Sequence, residues 1–578
     1  MKKLICTLLA LVMVLGLFVG CNTEKPVETK PAETKPAETK PAETQPGETT
    51  PPVTEWTEEG YLPFANGEKL TIGTSESSVV DNYNTNPMTV WLEEVTGVDI
   101  EFVFFPGSSG DRRQKFALMV GGGEKLPDIV MNAIKLSTQE INEYGEDGYL
   151  VDLQDFIGDM NYTPYLTQQL DNISDVLYTS IMSKIRNPET GAIYQTPWAS
   201  DVIAYDNTQT IGWINKTWLD QLGMEIPTTI DELHDVLVAF RDNDLNGNGK
   251  NDEIPLIGPV ATGGANILGW IINAYVYMDF DYHFNATDGE LWTAWTTDAY
   301  REALKTLNAW YKEGLIAHQT YVGIDYEETK PIYTPEDGVA LCGIMAGHPS
   351  VYMNAGSEVF YQYVPIAPLA AETNLGGYMV NRPSAVYDGC VITTDCENVE
   401  LALRFLDFLY ADASVATVNW GAEGVYWEWN DPTNTDSNVK NIKVLGDCNA
   451  ERRWNWGFGT AIYTNNNYMS AHIGEGWDGY RNQCQFQIED WMASANVPEE
   501  RVFNFLFTAE QQENYNTKAQ RFTDYIKEGL AKFGSGVWDP NSDADWNTYL
   551  KELDTMGLKD YLDTAQAGYD AFNAAYSE

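Results

Sequence analysis

Residues 242–253 read DNDLNGNGKNDE, with acidic and amide side chains at nearly every second position and glycines between them. Short oxygen-bearing side chains on a tight loop, with glycines where φ must be positive, are how a chain wraps a hard cation. Two registers fit. Counted from Asp242, an EF-hand pattern gives Asp242, Asp244 and Asn246, then Gly247, with Glu253 in twelfth place. Counted from Asp244, the ligands are Asp244, Asn246, Asn248, the Lys250 carbonyl, Asp252 and Glu253. Oxygen-only ligands at this count suit Ca2+ better than Zn2+ or Mg2+. The loop offers no open position with a neighbouring base, so the ion's role is structural. An Asn/Gly-rich turn with no ion is the alternative.

Other signals of chemistry are thin. The five histidines (His234, His283, His318, His348, His472) have no metal or triad spacing, and no G-x-S-x-G occurs. The 85 acidic residues leave room for a glycosidase pair, which needs two carboxylates across one sugar bond. The body carries Cys342, Cys390, Cys396, Cys448 and Cys484, an odd number with no zinc-like spacing. Most read as partly buried thiols; Cys390 and Cys396 are close enough in sequence for a disulfide. A formal net charge of −50 argues against nucleic-acid binding, which wants a basic face.

The elements that position these residues begin after a leader. Lys2 and Lys3 precede an apolar run over residues 4–20, followed by a small residue, Cys21 and polar sequence. Residues 17–21, LFVGC, resemble a bacterial lipobox, although Phe18 stands where Leu is usual. That resemblance implies a signal peptide over 1–20, with Cys21 lipidated (palmitate) as the first mature residue. Residues 21–58 then form a tether, with KPAET at 30–34, 35–39 and 40–44. Its regular prolines block helix and sheet, and it has almost nothing apolar to bury. At about 3 Å per residue its reach is on the order of 100 Å. The body, 59–578, is too long for one simple core and suits two or three packed lobes.

Within the body, 69–75 reads as a strand and Asn86-Pro87 as a helix start, with the helix ending at Gly97. A second strand over 98–105, a helix over 111–120 and a third strand over 126–133 follow. This alternation implies a mostly parallel sheet with helices on both faces. The cation loop lies between a helix over 231–240 and the apolar run IPLIGPV. Gly121–Gly123 follow a helix rather than a strand and make no phosphate loop.

Here the pattern is similar to that of extracellular solute-binding proteins of carbohydrate ABC importers. INKTWLDQLGMEIPTTIDELHDVLVAFRDNDLNGNGKNDEIPL (214–256) looks like the family's hallmark. Further matches are ITTDCENVELALRFLDFLYAD (392–412), NWGAEGVYWEWND (419–431) and WNTYLKELDTMGLKDYLDTAQAGYDAF (546–572). They cover nearly the whole body in order, and the lipoprotein and alginate-binding subgroup is the most similar. The resemblance implies an α/β, two-lobed, type II periplasmic-binding-protein-like fold, with parallel-type sheets flanked by helices and a hinge cleft. It also implies the Asp244 register, which Pro255 favours because it forbids an EF-hand exit helix. That subgroup usually has Arg where this chain has Asn215.

The resemblance further implies a sugar or oligosaccharide ligand, ABC permease subunits as partners, and a monomer held by lipid on the outer face of the cell membrane. Flat C–H sugar faces stack on Trp and Tyr, and hydroxyls need polar partners. Aromatic residues in loops beside polar ones are therefore the candidates. These are Trp198 with Asp201 and Tyr205, then Trp420, Glu423, Tyr426 and Trp427, then Arg453, Trp454 and Trp456. Trp270, in a more helical stretch, suits a core equally well. Tyr83 and Asn84 are weaker candidates, and Trp91, Trp218 and Trp310 read as core. The expected activity is binding without catalysis; a glycan hydrolase or a surface adhesin is the alternative. Adhesive modules are usually β-sandwiches, which the alternating pattern argues against.

Overall fold

The computed structural model describes residues 61–576, leaving out 201–207, 261–265, 347–356, 372–376, 430–441, 446–461, 464–490, 492–495 and several stretches of one to three residues. Cys21, the tether, Asp201, Tyr205, Arg453, Trp454 and Trp456 lie outside the described residues. Among the described residues, no helix is long and apolar enough to cross a membrane.

The opening alternation folds as expected. Strand Lys69–Ser75 turns Leu70 and Ile72 inward and pairs in parallel with Asp99–Phe105 along its whole length. Between them, helix Pro87–Thr96 starts where Asn86 Oδ1 accepts the Met88 N–H and ends at Gly97. Helix Ser109–Gly122 begins earlier than expected because Ser108 supplies the cap, accepting the Asp111 N–H. The third strand shortens to Ile129–Val130. Asp128 explains why: its carboxylate accepts the Thr71 N–H at 2.7 Å, taking the ladder's place there. Val391–Ile392 returns antiparallel to Ile129–Val130 and completes a four-stranded sheet.

A second four-stranded sheet has the order Tyr363–Pro365, Gly212–Asn215, Cys342–Ala346, Ile254–Leu256. The last two strands run parallel, and Gly212–Asn215 runs antiparallel to its neighbours. Helix Ile230–Asp242 covers it, opening on a Thr229/Glu232 capping box and burying Ile230, Leu233, Val236, Leu237 and Phe240. That spacing is one apolar face of a 3.6-residue repeat. The two sheets sit in separate apolar cores. One gathers Leu70, Ile72, Leu92, Ile392 and Phe405; the other gathers Trp213, Trp218, Ile344, Trp295 and Tyr549. Each lobe is assembled from distant segments, and helices Ala509–Gly534 and Asp543–Thr555 join the second. Trp218 and Trp310 are buried, and Trp91 packs against Phe408, as expected of core residues.

Asn215 has a local role. It is fully buried, its Oδ1 accepts the Trp218 N–H at 3.1 Å, and its Nδ2 donates to Gln362 at 3.2 Å. It thus caps helix Lys216–Leu222. Cys342, Cys390 and Cys396 are free buried thiols, so Cys390 and Cys396 do not pair. Cys390 instead packs against Met131, with its Sγ 3.2 Å from the methionine sulfur.

A carboxylate ties two helices in the first lobe. Helix Pro164–Asp171 receives no side-chain cap from its own Thr163. Asp407, buried on helix Val399–Phe408, supplies it: Oδ1 accepts the Leu166 N–H at 2.9 Å and Oδ2 the Tyr165 N–H at 3.3 Å. The Tyr61 hydroxyl donates to it at 3.2 Å. Burial pushes the Asp407 carboxyl up to about 7, against the opposing pull of these donors and of Arg404. The folded state therefore holds a proton that the unfolded chain, at about 3.9, releases. Stability from this group is full below about pH 4 and is lost as pH rises through 7. Asp407→Asn should flatten that slope in urea titrations between pH 4 and 8. Asp407→Ala should cost roughly 1–3 kcal/mol by leaving buried N–H groups unmet.

Candidate functional site

In open α/β sheets, ligands bind beyond the carboxyl ends of the strands. In the first lobe those ends are Ser75, Phe105 and Val130, and in the second Leu256 and Ala346. Both edges lead to the same crossing. Trp198–Ser200 pairs antiparallel with Ala385–Tyr387, and Thr208–Gln209 with Val380–Asn381. This interrupted ladder enters the first lobe at Val391, opposite Val130, and the second at Gly212, opposite Ala346. Ile462–Tyr463 adds a parallel strand beside Ala199–Ser200. The space between the two strand-end edges is the candidate site.

Both ends of the crossing need glycine. A Cβ on Gly389 would lie 1.6 Å from the Thr196 carbonyl oxygen, where the two crossing segments exchange hydrogen bonds through Thr196 and Cys390. A Cβ on Gly212 would lie 2.6 Å from the Trp270 ring. Trp270 is 4% exposed and supports the strand from beneath, so the structure gives it the packing role.

Trp198 stands half-buried at the first lobe's edge of this space, with the Lys135 Nζ 5.7 Å from its ring centroid. Lys135 adopts φ 53°, a left-handed conformation uncommon for a side chain of this size. No sequence signal marked it. Tyr83 is core: its ring meets Phe102 and Phe104 edge-on, and its hydroxyl donates to the Ser75 carbonyl.

The glycine-punctuated stretch divides. Helix Asp412–Trp420 ends at Gly421, whose carbonyl accepts the Trp427 Nε1–H at 2.7 Å. Trp427 is fully buried against Val415 and Ala416, and meets Trp429 edge-on at 5.0 Å. It is a core residue, contrary to its reading as a ligand contact, because that carbonyl meets its only polar atom. Trp420 and Tyr426 are half-buried and Glu423 is exposed.

The cation loop follows helix Ile230–Asp242 and leads into strand Ile254–Leu256, so no exit helix forms. Asp242 binds Arg241 through both oxygens, at 2.7 and 2.9 Å, and is thereby withdrawn from the loop. This favours the register starting at Asp244. Gly247 and Gly249 have φ 74° and 78°. Asp244 accepts the Gly249 N–H, Asn246 the Asn248 N–H, and Asn248 the Lys250 N–H. Amide groups of Asn248 and Asn246 hold the Asp252 carboxyl below its usual range. Glu253 Oε1 accepts the Leu245 and Asn246 N–H groups, while its buried Oε2 has no partner. An orphaned carboxylate oxygen amid oxygen-bearing side chains fits a hard cation. Among the described residues, however, no three Asp, Glu, His or Cys side chains converge as a metal cluster. The asparagine amides and the Lys250 carbonyl must complete such a set.

Residues 73–416 match the family described as bacterial extracellular solute-binding proteins. The chain is 26% identical over 501 residues to the fructooligosaccharide ABC transporter substrate-binding protein FusA of Streptococcus pneumoniae serotype 4, covering 84% of this chain and 86% of that protein. The structure of that S. pneumoniae protein in complex with kestose superposes with a TM-score of 0.68 at 24% identity, covering 88% of this chain and 100% of that one. An EF-hand mutant of it, in complex with fructo-nystose, superposes at 0.66 and 23% identity, over 88% and 100%. The fold is therefore the two-lobed, type II binding-protein fold.

Gly389→Ala and Gly212→Ala should each lower stability by roughly 1–3 kcal/mol, because neither site has room for a methyl group. Thermal melts check this. Unchanged melting in both variants would contradict the close approaches.

Proposed function

Because the chain belongs to the bacterial extracellular solute-binding proteins, we propose that it captures a sugar or oligosaccharide outside the membrane and delivers it to the permease of an ABC importer. The observation that carries this reading is the shared crossing ladder, which aims the strand ends of two lobes at one space. Likeness over 501 residues to a fructooligosaccharide transporter's binding protein makes a neutral, fructose-containing oligosaccharide the ligand to try first.

Capture rests on two kinds of contact. Ring faces such as Trp198 pack against C–H faces, and Lys135 offers N–H donors to hydroxyls beside it. Asp201, Tyr205, Trp420, Glu423, Tyr426, Arg453, Trp454 and Trp456 remain the further contacts we assign. A wrong sugar leaves such polar groups unpaired, which gives specificity. Closure about the crossing strands completes the site. No catalytic step is required, and the protein binds without turnover.

We further assign residues 1–20 to a signal peptide, Cys21 to lipidation, 21–58 to the tether and 59–578 to the binding body. The monomer is thereby held at the outer face of the cell membrane. The loop at 244–253 holds one Ca2+ through Asp244, Asn246, Asn248, the Lys250 carbonyl, Asp252 and Glu253. A bound cation there supplies positive charge that offsets the loop's carboxylates. The chain's own part is to fix them with the N–H groups of Leu245, Asn246 and Gly249.

Calorimetry against a panel of neutral and acidic oligosaccharides, with product analysis, tests the reading. One soluble sugar should bind with compaction in X-ray scattering and no released product, and Trp198→Ala should weaken it about tenfold, the 1.4 kcal/mol of one lost stack. Binding of a peptide or lipid set instead, or product release, would refute it. For the loop, calcium at 100 times its Kd should add about 2.7 kcal/mol of stability. Asp244→Asn should remove most of that gain while altering sugar affinity little.

A further inference from the structure

The last helix also reaches from one core to the other. Helix Leu558–Tyr576 buries Leu558, Tyr561, Ala565 and Tyr569 in the core of the second lobe, one stripe at helical spacing. Residues 570–575 are exposed or half-buried. Tyr576 then packs against the core of the first lobe. From Tyr569 to Tyr576 the helix advances about 10 Å, at 1.5 Å per residue. Its root is thus four buried side chains, and its foot is one half-buried ring. The stretch between them, DAFNAA, has no Pro, Gly or Ser at which a helix kinks. A change of angle between the lobes must therefore be taken up at the foot.

A second foot reaches the same lobe. Residues 504–507 run along the helix: the Leu506 N–H donates to the Gly568 carbonyl at 2.9 Å, and a Cβ on Gly568 would lie 2.3 Å from the Phe507 ring. Phe505 packs against the second lobe's core. From this braced segment the Asn504 Nδ2 donates to Ser180 Oγ at 3.2 Å. Ser180 is buried on helix Asp175–Ile185, whose Leu177, Ile181 and Ile185 belong to the first lobe's core. Arg186 ends that helix. Burial pushes the pKa of the Tyr576 hydroxyl up, and the Arg186 charge pulls against that rise. Both feet thus meet one helix of the first lobe. Lys184 of the same helix pairs with Asp388 at 3.2 Å, beside Gly389 of the crossing.

We infer that helix Leu558–Tyr576, with the segment braced on it, is a latch that fixes the angle between the lobes, and that Asn504, Ser180, Arg186 and Tyr576 are positioning residues that set sugar affinity through that angle. The feet are one polar bond and one ring, which part or slide far more readily than the cores on either side deform. A ligand that needs one lobe angle binds in proportion to the fraction of chains that adopt it. Loss of a foot changes that fraction. The affinity part of the inference rests on the sugar reading given above; the angle part does not.

X-ray scattering of the sugar-free protein, paired with calorimetry on the sugar found by the panel, tests it. Asn504→Ala, Ser180→Ala and Tyr576→Ala should each shift the radius of gyration of the sugar-free protein and change the Kd about fivefold, as loss of one weak contact implies. Asn504→Ala and Ser180→Ala remove the same bond, so the double variant should match either single one. Tyr576→Phe keeps the ring and should stay within twofold of the unmodified protein. Asp407→Ala, which loosens the first lobe elsewhere, should move neither reading; a matching shift there would mean that general destabilisation is being read and would overturn the latch. So would unchanged scattering in all three alanine variants. Altered affinity with unchanged sugar-free scattering would make these residues ligand contacts and sink the inference while leaving the transport reading intact. Absence of any sugar binding would refute the transport reading and leave the scattering arm to decide the latch.

Discussion

The crossing between the lobes is the constraint on which the rest depends. Two separately packed cores are joined by thin paired strands, and each backbone N–H and C=O there needs a partner. The solution is close contact. Thr196 and Cys390 bond main chain to main chain, and the space a side chain would need at Gly389 is filled by the Thr196 carbonyl. At the other end the Trp270 ring fills the space a side chain would need at Gly212. Each lobe has its own apolar core, and the crossing strands that join them are short. The placement of Trp198 follows, since it lies on the crossing strand itself and any change in the angle of that strand moves its ring.

The two carboxylate-centred features divide the work of fixing the lobes. Asp407 unites helices from remote parts of the first lobe by satisfying main-chain donors that no local residue meets. Glu253 does the same for the loop of the second lobe with one oxygen and leaves the other buried and unmet. The first has both oxygens met; the second keeps one oxygen buried without a hydrogen-bond partner.

Much of the first lobe was legible because its signals are local. Asn86-Pro87, Gly97 and the alternation of 69–75 act within a few residues of themselves, and the structure places a cap, a helix end and a strand there. The turn at 244–250 was legible for the same reason: Gly247 and Gly249 take positive φ, and the side chains of Asp244, Asn246 and Asn248 accept the loop's own N–H groups. What failed to show was non-local. Nothing near 126–133 announces that Asp128 will turn back to Thr71 and end the ladder early. Nothing near 135 announces a strained lysine beside Trp198. Trp427 misled because the glycines around it suggest an open loop, whereas Gly421 lends its carbonyl to that buried indole. The Asp-Gly turn at 288–289 was readable in principle, since that dipeptide between short β-prone runs is a strong hairpin signal.

The second lobe's discontinuity sets an order of events in the life of the chain. Its central strand, Gly212–Asn215, is made early, but its core is closed by Phe522, Tyr549 and Tyr561, hundreds of residues later. Closing so long a loop is entropically costly and slow, and contacts of such sequence separation form late. Until helix Ala509–Gly534 is made, Trp295 lacks the Phe522 ring that meets it edge-on. The second lobe's core is therefore complete only once these distant helices have joined it.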